Sequence, residues 1–368
     1  RATTRNRTSD ASIVRLMHAP AGLRLDYLSP AEYRAAECAG VLGVATFNAP
    51  PAPAAGSGEI PVAEVNTPLL LGTADVCEVW RSGQPAESGR RNRVRFRRSE
   101  NLLFGCIALA ESEIAPAVSA GPAGPAAPSA LQVATEEAYR EICATLDALG
   151  FPHLLRVWNY LPDINRDSDG LERYRQFNRA RQHALSACGR AVRGKVPAAS
   201  ALGAASGSPL VVYFLAGRVA PAFIENPRQL SAYRYPREYG SHAPVFSRAT
   251  LLRQRDSLTL FISGTASIVG HRSIHVGDTA AQTRETLANI AALLEEANRV
   301  ERTARFSLGS LACKVYVRRP ADLPVIRAEL TRALEPASRV IYLQADICRQ
   351  DLLVEIEATG MCPLKADA

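Results

Sequence analysis

A glutamate inside an apolar run near the end of the chain is the residue best suited to acid chemistry. Glu355 interrupts the apolar stretch 352–356. Because side chains alternate between the two faces of a strand, we expect Leu353, Glu355 and Glu357 on one face and Val354 and Ile356 on the other. Burial raises the pKa of a carboxyl group, and a carboxylic acid still protonated near neutral pH can act as a general acid. The same pattern is also typical of an edge strand with one wet face.

A single cysteine lies close to this glutamate in the sequence. Cys348 stands seven residues before Glu355, in a polar turn that joins two apolar runs within residues 341–360. It could lie at the mouth of a pocket that contains Glu355, although a lone cysteine more often packs as an inert side chain. The acid and the thiol make this stretch the candidate catalytic element, which the rest of the chain must position.

The other cysteines and histidines indicate neither a metal centre nor disulfides. The eight Cys residues show no CxxC spacing and no pairing pattern, which is typical of free thiols in a reducing cytoplasm. The six His residues are dispersed, and the nearest pair, His271 and His275, has no third ligand in view. No apolar run reaches the ~20 residues that a membrane helix needs. We therefore expect a cytoplasmic protein with no metal site and no membrane partner.

The charge distribution raises a nucleic-acid hypothesis but does not favour it. The 368 residues include 43 Lys+Arg against 36 Asp+Glu, a net charge of +7, and the 47% hydrophobic content is typical of a folded, soluble protein. A dense Arg run at 90–98 could bind nucleic acid. No aromatic platform or zinc spacing accompanies it, so a solvated hairpin is favoured. Arginines would equally suit a small substrate with carboxylates, which guanidinium groups bind bidentately.

An internal repeat indicates the architecture. Runs at 104–109, 140–149 and 156–162 recur in the same order at 263–268, 284–293 and 314–320. A fourth pair, 209–216 and 352–358, places Tyr213 where Glu355 stands. Four ordered matches predict two copies of one α+β module, each a mixed sheet with helices on one face. The second copy keeps the acid and the first has lost it.

The module boundaries follow from loops and composition. Pro- and Ala-rich stretches at 49–58 and 115–129 predict loops, and helical periodicity at 134–150 and 170–189 predicts helices. The segment 218–252, between the two modules, lacks periodicity. Its five aromatic residues disfavour disorder, so we expect this interdomain segment to line the cleft between the modules. The predicted units are an N-terminal extension with short strands (1–70), the first module (71–217), the interdomain segment (218–252) and the second module (253–368).

These motifs resemble a known family. The second module, with SGTASIVGH at 263–271 and VEIEA at 354–358, resembles the RidA-like (chorismate-mutase-like) fold, which assembles around three-fold axes with clefts between neighbours. The wider pattern RVWNYLPDIN, LERYRQFNRARQ and IENPRQLSAYRYPREYG is similar to the chorismatases, which fuse two such modules. The resemblance covers about residues 70–360 and is specific, because ordinary deaminases of the fold lack the IENPRQ and AYRYP signature. It implies a homotrimer or a pseudo-symmetric monomer.

The resemblance implies an enzyme without a cofactor that removes the enolpyruvyl side chain of chorismate as pyruvate. The catalytic acid of the family falls on Glu355. The branch that forms 3-hydroxybenzoate carries a Cys and a Gly that match Cys348 and Gly264, whereas the hydrolysing branch, which forms trans-3,4-dihydroxycyclohexa-1,5-diene carboxylate, usually carries Ala at the Gly position. Mixed 3- and 4-hydroxybenzoate formation stays open. So does a non-catalytic small-molecule-binding protein of the same fold, which would have no use for Glu355.

Chorismate carries two carboxylates, which require two cationic anchors near the acid. We expect these to be Arg181, from the helix after the WNY strand, and Arg248 or Arg228, from the interdomain segment. Candidate hydroxyl partners for the ring oxygens are Tyr160, Tyr213 and Tyr233, although Tyr between sheet and helix is more often a core residue.

Overall fold

An N-terminal sheet opens the part of the chain that the computed structural model describes, residues 22–48, 60–70, 75–114, 127–191, 194–335 and 338–364. Its strands are β1 (Arg24–Leu28), β2 (Val41–Thr46), β3 (Val62–Glu64) and β4 (Cys77–Arg81), in the order β1-β4-β2-β3, with a short helix α1 (Pro30–Ala35). Strand β4 pairs with both β1 and β2. The boundary expected at residue 70 therefore falls inside this sheet, and the N-terminal unit extends to Arg81.

The first module is a six-stranded sheet with two helices. Its elements are β5 (Glu87–Arg91), β6 (Val94–Arg98), β7 (Leu102–Leu109), α2 (Ala130–Leu149), β8 (His153–Pro162), the short pair β9 (Asp167–Ser168) and β10 (Leu171–Glu172), α3 (Arg173–Ala187), β11 (Ala198–Ala204) and β12 (Leu210–Gly217). Helix α2 begins before residue 134 because Ser129 and Gln132 form a capping box, and Gly150, at a φ of 71°, ends it as expected. The predicted loops at 49–58 and 115–126 lie outside the described residues.

The second module has the same plan. Its elements are β13 (Ala222–Ile224), β14 (Ala249–Arg253), β15 (Ser257–Ala266), β16 (Ile268–Val269), β17 (Arg272–Ser273), α4 (Thr279–Val300), β18 (Leu311–Val317), α5 (Leu323–Ala333), β19 (Arg339–Gln344) and β20 (Val354–Pro363). Strand β13 and most of β14 come from the segment 218–252, so that segment supplies sheet strands as well as loops. Strand β18 lies between β19 and β20, which are therefore not neighbours.

Strand order and register confirm the predicted repeat. The first sheet runs β11-β8-β12-β7-β6-β5, and the second runs β19-β18-β20-β15-β14-β13, with a parallel pair at the same edge of each. Tyr213 lies opposite Trp158, and Glu355 lies opposite Tyr316, the residue that aligns with Trp158. Tyr213 and Glu355 therefore occupy equivalent positions. Because β20 is a central strand, the edge-strand interpretation of Glu355 is wrong.

The three sheets meet at one shared core, and the helices cover the outer faces of the two modules. Buried aromatic rings from every sheet contribute to this core, among them Trp80, Trp158, Tyr213, Phe261 and Tyr316. Separate apolar clusters join the first sheet to α2 and α3 and the second sheet to α4 and α5. Because the sheet of each module is covered on both faces, residues on its inner face are buried whether they are apolar or charged.

The Arg run at 90–98 forms a hairpin that docks on the N-terminal unit. Strands β5 and β6 pair through a turn at Asn92, which has a φ of 51°. Arg95 donates to the carbonyl oxygen of Val62 at 2.7 Å, and Arg97 donates to that of Cys38 at 3.1 Å. The hairpin interpretation is confirmed, and part of the positive charge is used in holding two units together.

Candidate active site

A cavity of about 300 Å³ lies where helix α3, the interdomain segment and the second module meet. This volume is at the lower end of the range for small-molecule sites. An adjoining inner chamber of about 40 Å³ shares Glu355, Cys348 and Gly264 with it and adds Arg181 and Ser200 to the wall. The main cavity is lined by Glu172, Tyr174, Arg175, Tyr235, Tyr239, Pro244, Phe246, Arg248, Gly264, Ala266, Ile268, Cys348, Arg349, Gln350, Asp351 and Glu355.

Glu355 reaches the cavity from the middle of the second sheet. Its side chain is 3% exposed and points away from the helix-side core, which takes up Val354 and Ile356 instead, as alternation predicts. Strand β15 carries a bulge opposite, between Ile262 and Thr265. A Cβ at Gly264, within that bulge, would lie 2.8 Å from Cδ of Glu355. The space left by the glycine is therefore occupied by the carboxyl group itself.

The surroundings of Glu355 favour its neutral form. Burial raises the pKa of Glu355 to about 8, and the charge of Glu357 adds to the shift, while Arg156 and Arg318 oppose it. No described residue donates a hydrogen bond to this carboxyl group. At neutral pH the site thus contains a protonated acid that faces a cavity.

Glu357, on the same face of β20, has the opposite environment. Its carboxylate accepts hydrogen bonds from Arg156 and Trp158, both at 2.7 Å, and from Ser200. The ammonium group of Lys314 lies 2.7 Å from it. Burial disfavours the charge on Glu357, but Lys314 and Arg156 outweigh burial and hold its pKa below the usual value. Two neighbouring carboxyl groups are therefore kept in different protonation states.

Cys348 stands beside Glu355 in the wall of the cavity, as the turn before β20 predicts. Burial raises the pKa of Cys348 to about 12, and the neighbouring Glu355 adds to the effect. The side chain is thus a neutral thiol, which can donate a weak hydrogen bond but is a poor nucleophile. All eight cysteines are free.

Two buried arginines in the cavity walls have N–H groups without described hydrogen-bond partners. Arg181, from α3, lies over the ring of Tyr139 at 5.2 Å, and its Nε and Nη2 have no hydrogen-bond partner among the described residues. Arg248 donates through Nη2 to Leu230 and Tyr235, at 2.6 and 2.9 Å, while its Nε has no described partner. Buried donors without partners are rare, so we expect these donors to bind a water molecule or a ligand.

Comparison with known proteins assigns this chain to a family. Residues 78–216 match the family model described as "Chorismatase FkbO/Hyg5-like, N-terminal". The chain is 36% identical over 311 residues to a "3-hydroxybenzoate synthase" from Streptomyces hygroscopicus, an alignment that covers 82% of this chain and 86% of the relative. This chain belongs to the chorismatase family. It is also 39% identical to a "Chorismatase" from Streptomyces rapamycinicus, over 76% of this chain and 80% of that protein.

A solved structure agrees with the assignment to the chorismatases. A crystal structure of a chorismatase matches with a TM-score of 0.80 at 33% identity, over 92% of this chain and 98% of the other. The fold of this family member is accordingly α+β, with two RidA-like modules in tandem. The recognition of the family from the WNYLPDIN and IENPRQ motifs is confirmed.

Four expected substrate contacts lie away from the cavity of this chorismatase. Arg228 forms an ion pair with Glu285 on the surface of the second module. Tyr233 packs at the edge of the core of the first module. Tyr160 and Tyr213 lie in the core shared by the three sheets, where the first contacts the hydroxyl group of Tyr316 at 2.6 Å and the second accepts from Lys314 at 2.8 Å. The N-terminal sheet, which the repeat did not reveal, packs in the same core as both tyrosines.

The sequence interpretation missed two other side chains of the chorismatase cavity. Arg349 follows Cys348 directly, and its guanidinium carbon lies 4.1 Å from the centre of the Tyr239 ring. Its Nη2 has no described partner. Tyr174 lines both the cavity and the inner chamber, and burial raises the pKa of its hydroxyl group far above the usual value. Position beside Cys348 could have indicated Arg349, whereas helical periodicity gives no signal for Tyr174.

The described residues contain no cluster of three His, Cys, Asp or Glu side chains that could hold a metal ion. None of the helices described is long and apolar enough to cross a membrane.

Proposed function

We propose that this chain converts chorismate into 3-hydroxybenzoate and pyruvate, with Glu355 as the general acid. The observation that carries the proposal is the buried carboxyl group of Glu355 in the wall of a cavity of ligand size, beside Arg181 and Arg248, where burial raises its pKa to about 8. The relative named 3-hydroxybenzoate synthase supports the product, and Cys348 and Gly264 match the pattern expected for that branch.

The chemistry needs an acid in a dry site. Cleavage of an enol ether begins when its terminal methylene takes up a proton, here from Glu355, so that the adjoining carbon becomes electrophilic. The neighbouring ring hydroxyl then displaces the side chain from C3, and pyruvate leaves with the ether oxygen. The new C3–O bond closes an epoxide as the hydroxyl proton leaves. Opening of its C4–O bond and loss of the proton on C3 then give the aromatic ring, and the oxygen that stays on C3 takes up a proton. The two products together contain all the atoms of chorismate, whereas the alternative hydrolysis consumes one water.

Two cationic anchors would fix the dianionic substrate against the acid. Arg181 borders the inner chamber beside Glu355, and Arg248 borders the main cavity. A guanidinium group binds a carboxylate through charge-assisted hydrogen bonds, which fit the unused donors of both arginines. Arg349 adds a third positive charge to the same wall.

Replacing either anchor should weaken substrate binding. Arg181→Ala and Arg248→Ala should each cost about 1.5–3 kcal/mol, which raises KM roughly 10- to 150-fold, because a charge-assisted pair is lost. Arg228→Ala is the matched control and should leave KM within about two-fold, since its partner Glu285 lies outside the cavity. Steady-state assays of pyruvate release measure KM for all three variants. Unchanged KM in both cavity variants would assign the anchoring to other groups, with Arg349 as the first to examine.

Cys348 should direct the choice of product. In Cys348→Ala the thiol can no longer contact the ring oxygens, so we expect part of the product to shift to the dihydroxycyclohexadiene carboxylate while pyruvate release continues. Chromatography of the aromatic and diene products measures the ratio, with Cys188→Ala as a control at a partly buried cysteine outside the cavity. Gly264→Ala is a poor partner for this test, because its Cβ would displace the carboxyl group of Glu355. A Cys348→Ala variant that makes only 3-hydroxybenzoate would remove the thiol from product choice.

Incubation of the purified protein with chorismate tests the proposal as a whole. Equal amounts of pyruvate and 3-hydroxybenzoate are the expected result. Pyruvate with the diene carboxylate would indicate the hydrolytic activity, a mixture of hydroxybenzoates would indicate the mixed activity, and binding without pyruvate release would indicate a non-catalytic binding protein.

The arrangement of the sheets also favours one form of assembly. Three sheets of one chain already surround a common core, whereas the RidA-like fold assembles three subunits around an axis. We therefore expect the pseudo-symmetric monomer rather than the homotrimer, and the mass of the protein in solution distinguishes the two.

A further inference from the structure

Glu357 belongs to a buried charge cluster that lies behind the cavity. The cluster consists of Glu78, Arg156, Lys314 and Glu357, each at most 3% exposed, and it joins the N-terminal sheet to both modules. Lys314 bridges the two carboxylates, at 2.7 Å from each. The two positive and two negative charges sum to zero. Glu357 is absent from the walls of the main cavity and of the inner chamber.

The cluster approaches the acid at two places. Glu355 and Glu357 are two residues apart on one face of β20, which corresponds to about 7 Å along the strand. Ser200 lines the inner chamber and also donates to Glu357. Its Cβ lies 3.4 Å from the position of a Cβ at Gly264, directly beside Glu355.

We propose that Glu357 is a positioning residue whose fixed negative charge keeps Glu355 in its protonated form. The inference rests on the proposed function for its effect on catalysis, but not for its effect on the proton of Glu355. A carboxylate held by four donors cannot move or take up a proton near neutral pH, so its field acts on Glu355 permanently. Ionisation of Glu355 would place a second negative charge beside the first in a region shielded from water.

Other charged and titratable groups that face Glu355 do not supply this field. Cys348 and Tyr174 are neutral, because burial raises the pKa of each. Positive groups favour ionisation instead: Arg156, paired with Glu357, and Arg318, 2.6 Å from Asp346, both lower the pKa of Glu355 and so oppose Glu357. Arg181 borders the inner chamber, and Arg248 and Arg349 border the main cavity. The carboxyl groups of Glu172 and Asp351 also line the main cavity, but they belong to other elements. Glu357 is the negative group on the strand face of Glu355, and its charge raises the pKa of Glu355.

The test is the titration of Glu355 in Glu357→Gln. Without the charge of Glu357, the cluster keeps an excess positive charge, so the pKa of Glu355 should fall by on the order of 1–2 pH units. Infrared difference spectra of the carboxyl C=O stretch in ligand-free protein measure this pKa, and subtraction of Glu355→Gln assigns the band. The falling limb of the kcat/KM profile on chorismate should move to lower pH by the same amount, while the rate on the acid side of the limb stays within a few-fold.

A second variant keeps the test decisive if the single variant folds poorly. Glu357→Gln combined with Lys314→Met returns the cluster to zero charge, so the pKa of Glu355 should move part of the way back. An unchanged infrared titration in both folded variants would overturn the inference, as would a rate loss equal at every pH, which indicates a merely structural role. Failure of the proposed function looks different: Glu355→Gln would retain pyruvate release whatever the titration shows.

Discussion

Glu355→Gln should lower pyruvate release from chorismate by about 10²–10⁴-fold, the usual contribution of a general acid. The amide keeps the size and shape of the side chain but has no proton that it can transfer to the enol ether. A coupled assay for pyruvate measures the loss. Glu285→Gln is the control, because it makes the same chemical change in a carboxylate that lies outside the cavity and pairs with Arg228. Activity of Glu355→Gln within a few-fold of the parent would remove Glu355 from the mechanism.

The same variant should be more stable than the parent at high pH. The pKa of Glu355 is about 8 in the fold against an ordinary value of 4.5, so the folded state binds the proton more tightly than the unfolded state. The stability that this proton contributes is fully present below pH 4.5 and is lost as the pH rises through 8. Glutamine has no proton to lose. The free energy of unfolding of Glu355→Gln, relative to the parent, should rise by several kcal/mol between about pH 5 and pH 9 in urea titrations. A difference independent of pH would mean that Glu355 is ionised in the fold.

Lys314→Met should destabilise the fold by about 3–5 kcal/mol, the usual cost of leaving buried charges unpaired. Lys314 lies 2.7 Å from both Glu78 and Glu357, and all three side chains are buried. Burial alone disfavours the ammonium group, yet Glu357 and Glu78 hold the pKa of Lys314 above its usual value, so the group stays charged. Urea denaturation near pH 7 measures the loss.

Two comparisons isolate the ionic part of this loss. Lys195→Met changes an exposed lysine and should alter the free energy of unfolding by less than about 0.5 kcal/mol. Adding Glu357→Gln to Lys314→Met should recover part of the loss, because one of the two unpaired charges is then removed. If the double variant is as unstable as the sum of the singles, the charges of Lys314 and Glu357 do not act together.

The sequence predicts best what depends on local pattern or on repetition. Alternation along β20 places Glu355 and Glu357 on one face, and the repeat gives the equivalence of Tyr213 and Glu355 that the strand register confirms. The turn before β20 correctly places Cys348 beside the acid. Each of these needs only the period of a strand or a comparison of the chain with itself.

What the sequence does not predict depends on contacts between distant units. Tyr160 and Tyr213 have the composition of a binding site, but the N-terminal sheet and the second module cover them. Arg228 and Arg248 stand in one irregular segment, and only the packed structure shows that the second reaches the cavity while the first pairs with Glu285. The role of Lys314 is hidden for the same reason, since its partner Glu78 is more than two hundred residues away in the chain.

The filled position at Tyr213 has a consequence for the ligand stoichiometry of the chain. In the second module a cavity lies at Glu355. At the equivalent position of the first module, the ring of Tyr213 stacks on Trp158 with 4.6 Å between the ring centres, and Lys314 donates a hydrogen bond to its hydroxyl group. A duplicated module would ordinarily carry two equivalent sites, and two equivalent sites can communicate. In the first module buried side chains fill the position equivalent to Glu355, so we expect one ligand bound per chain and hyperbolic saturation by substrate.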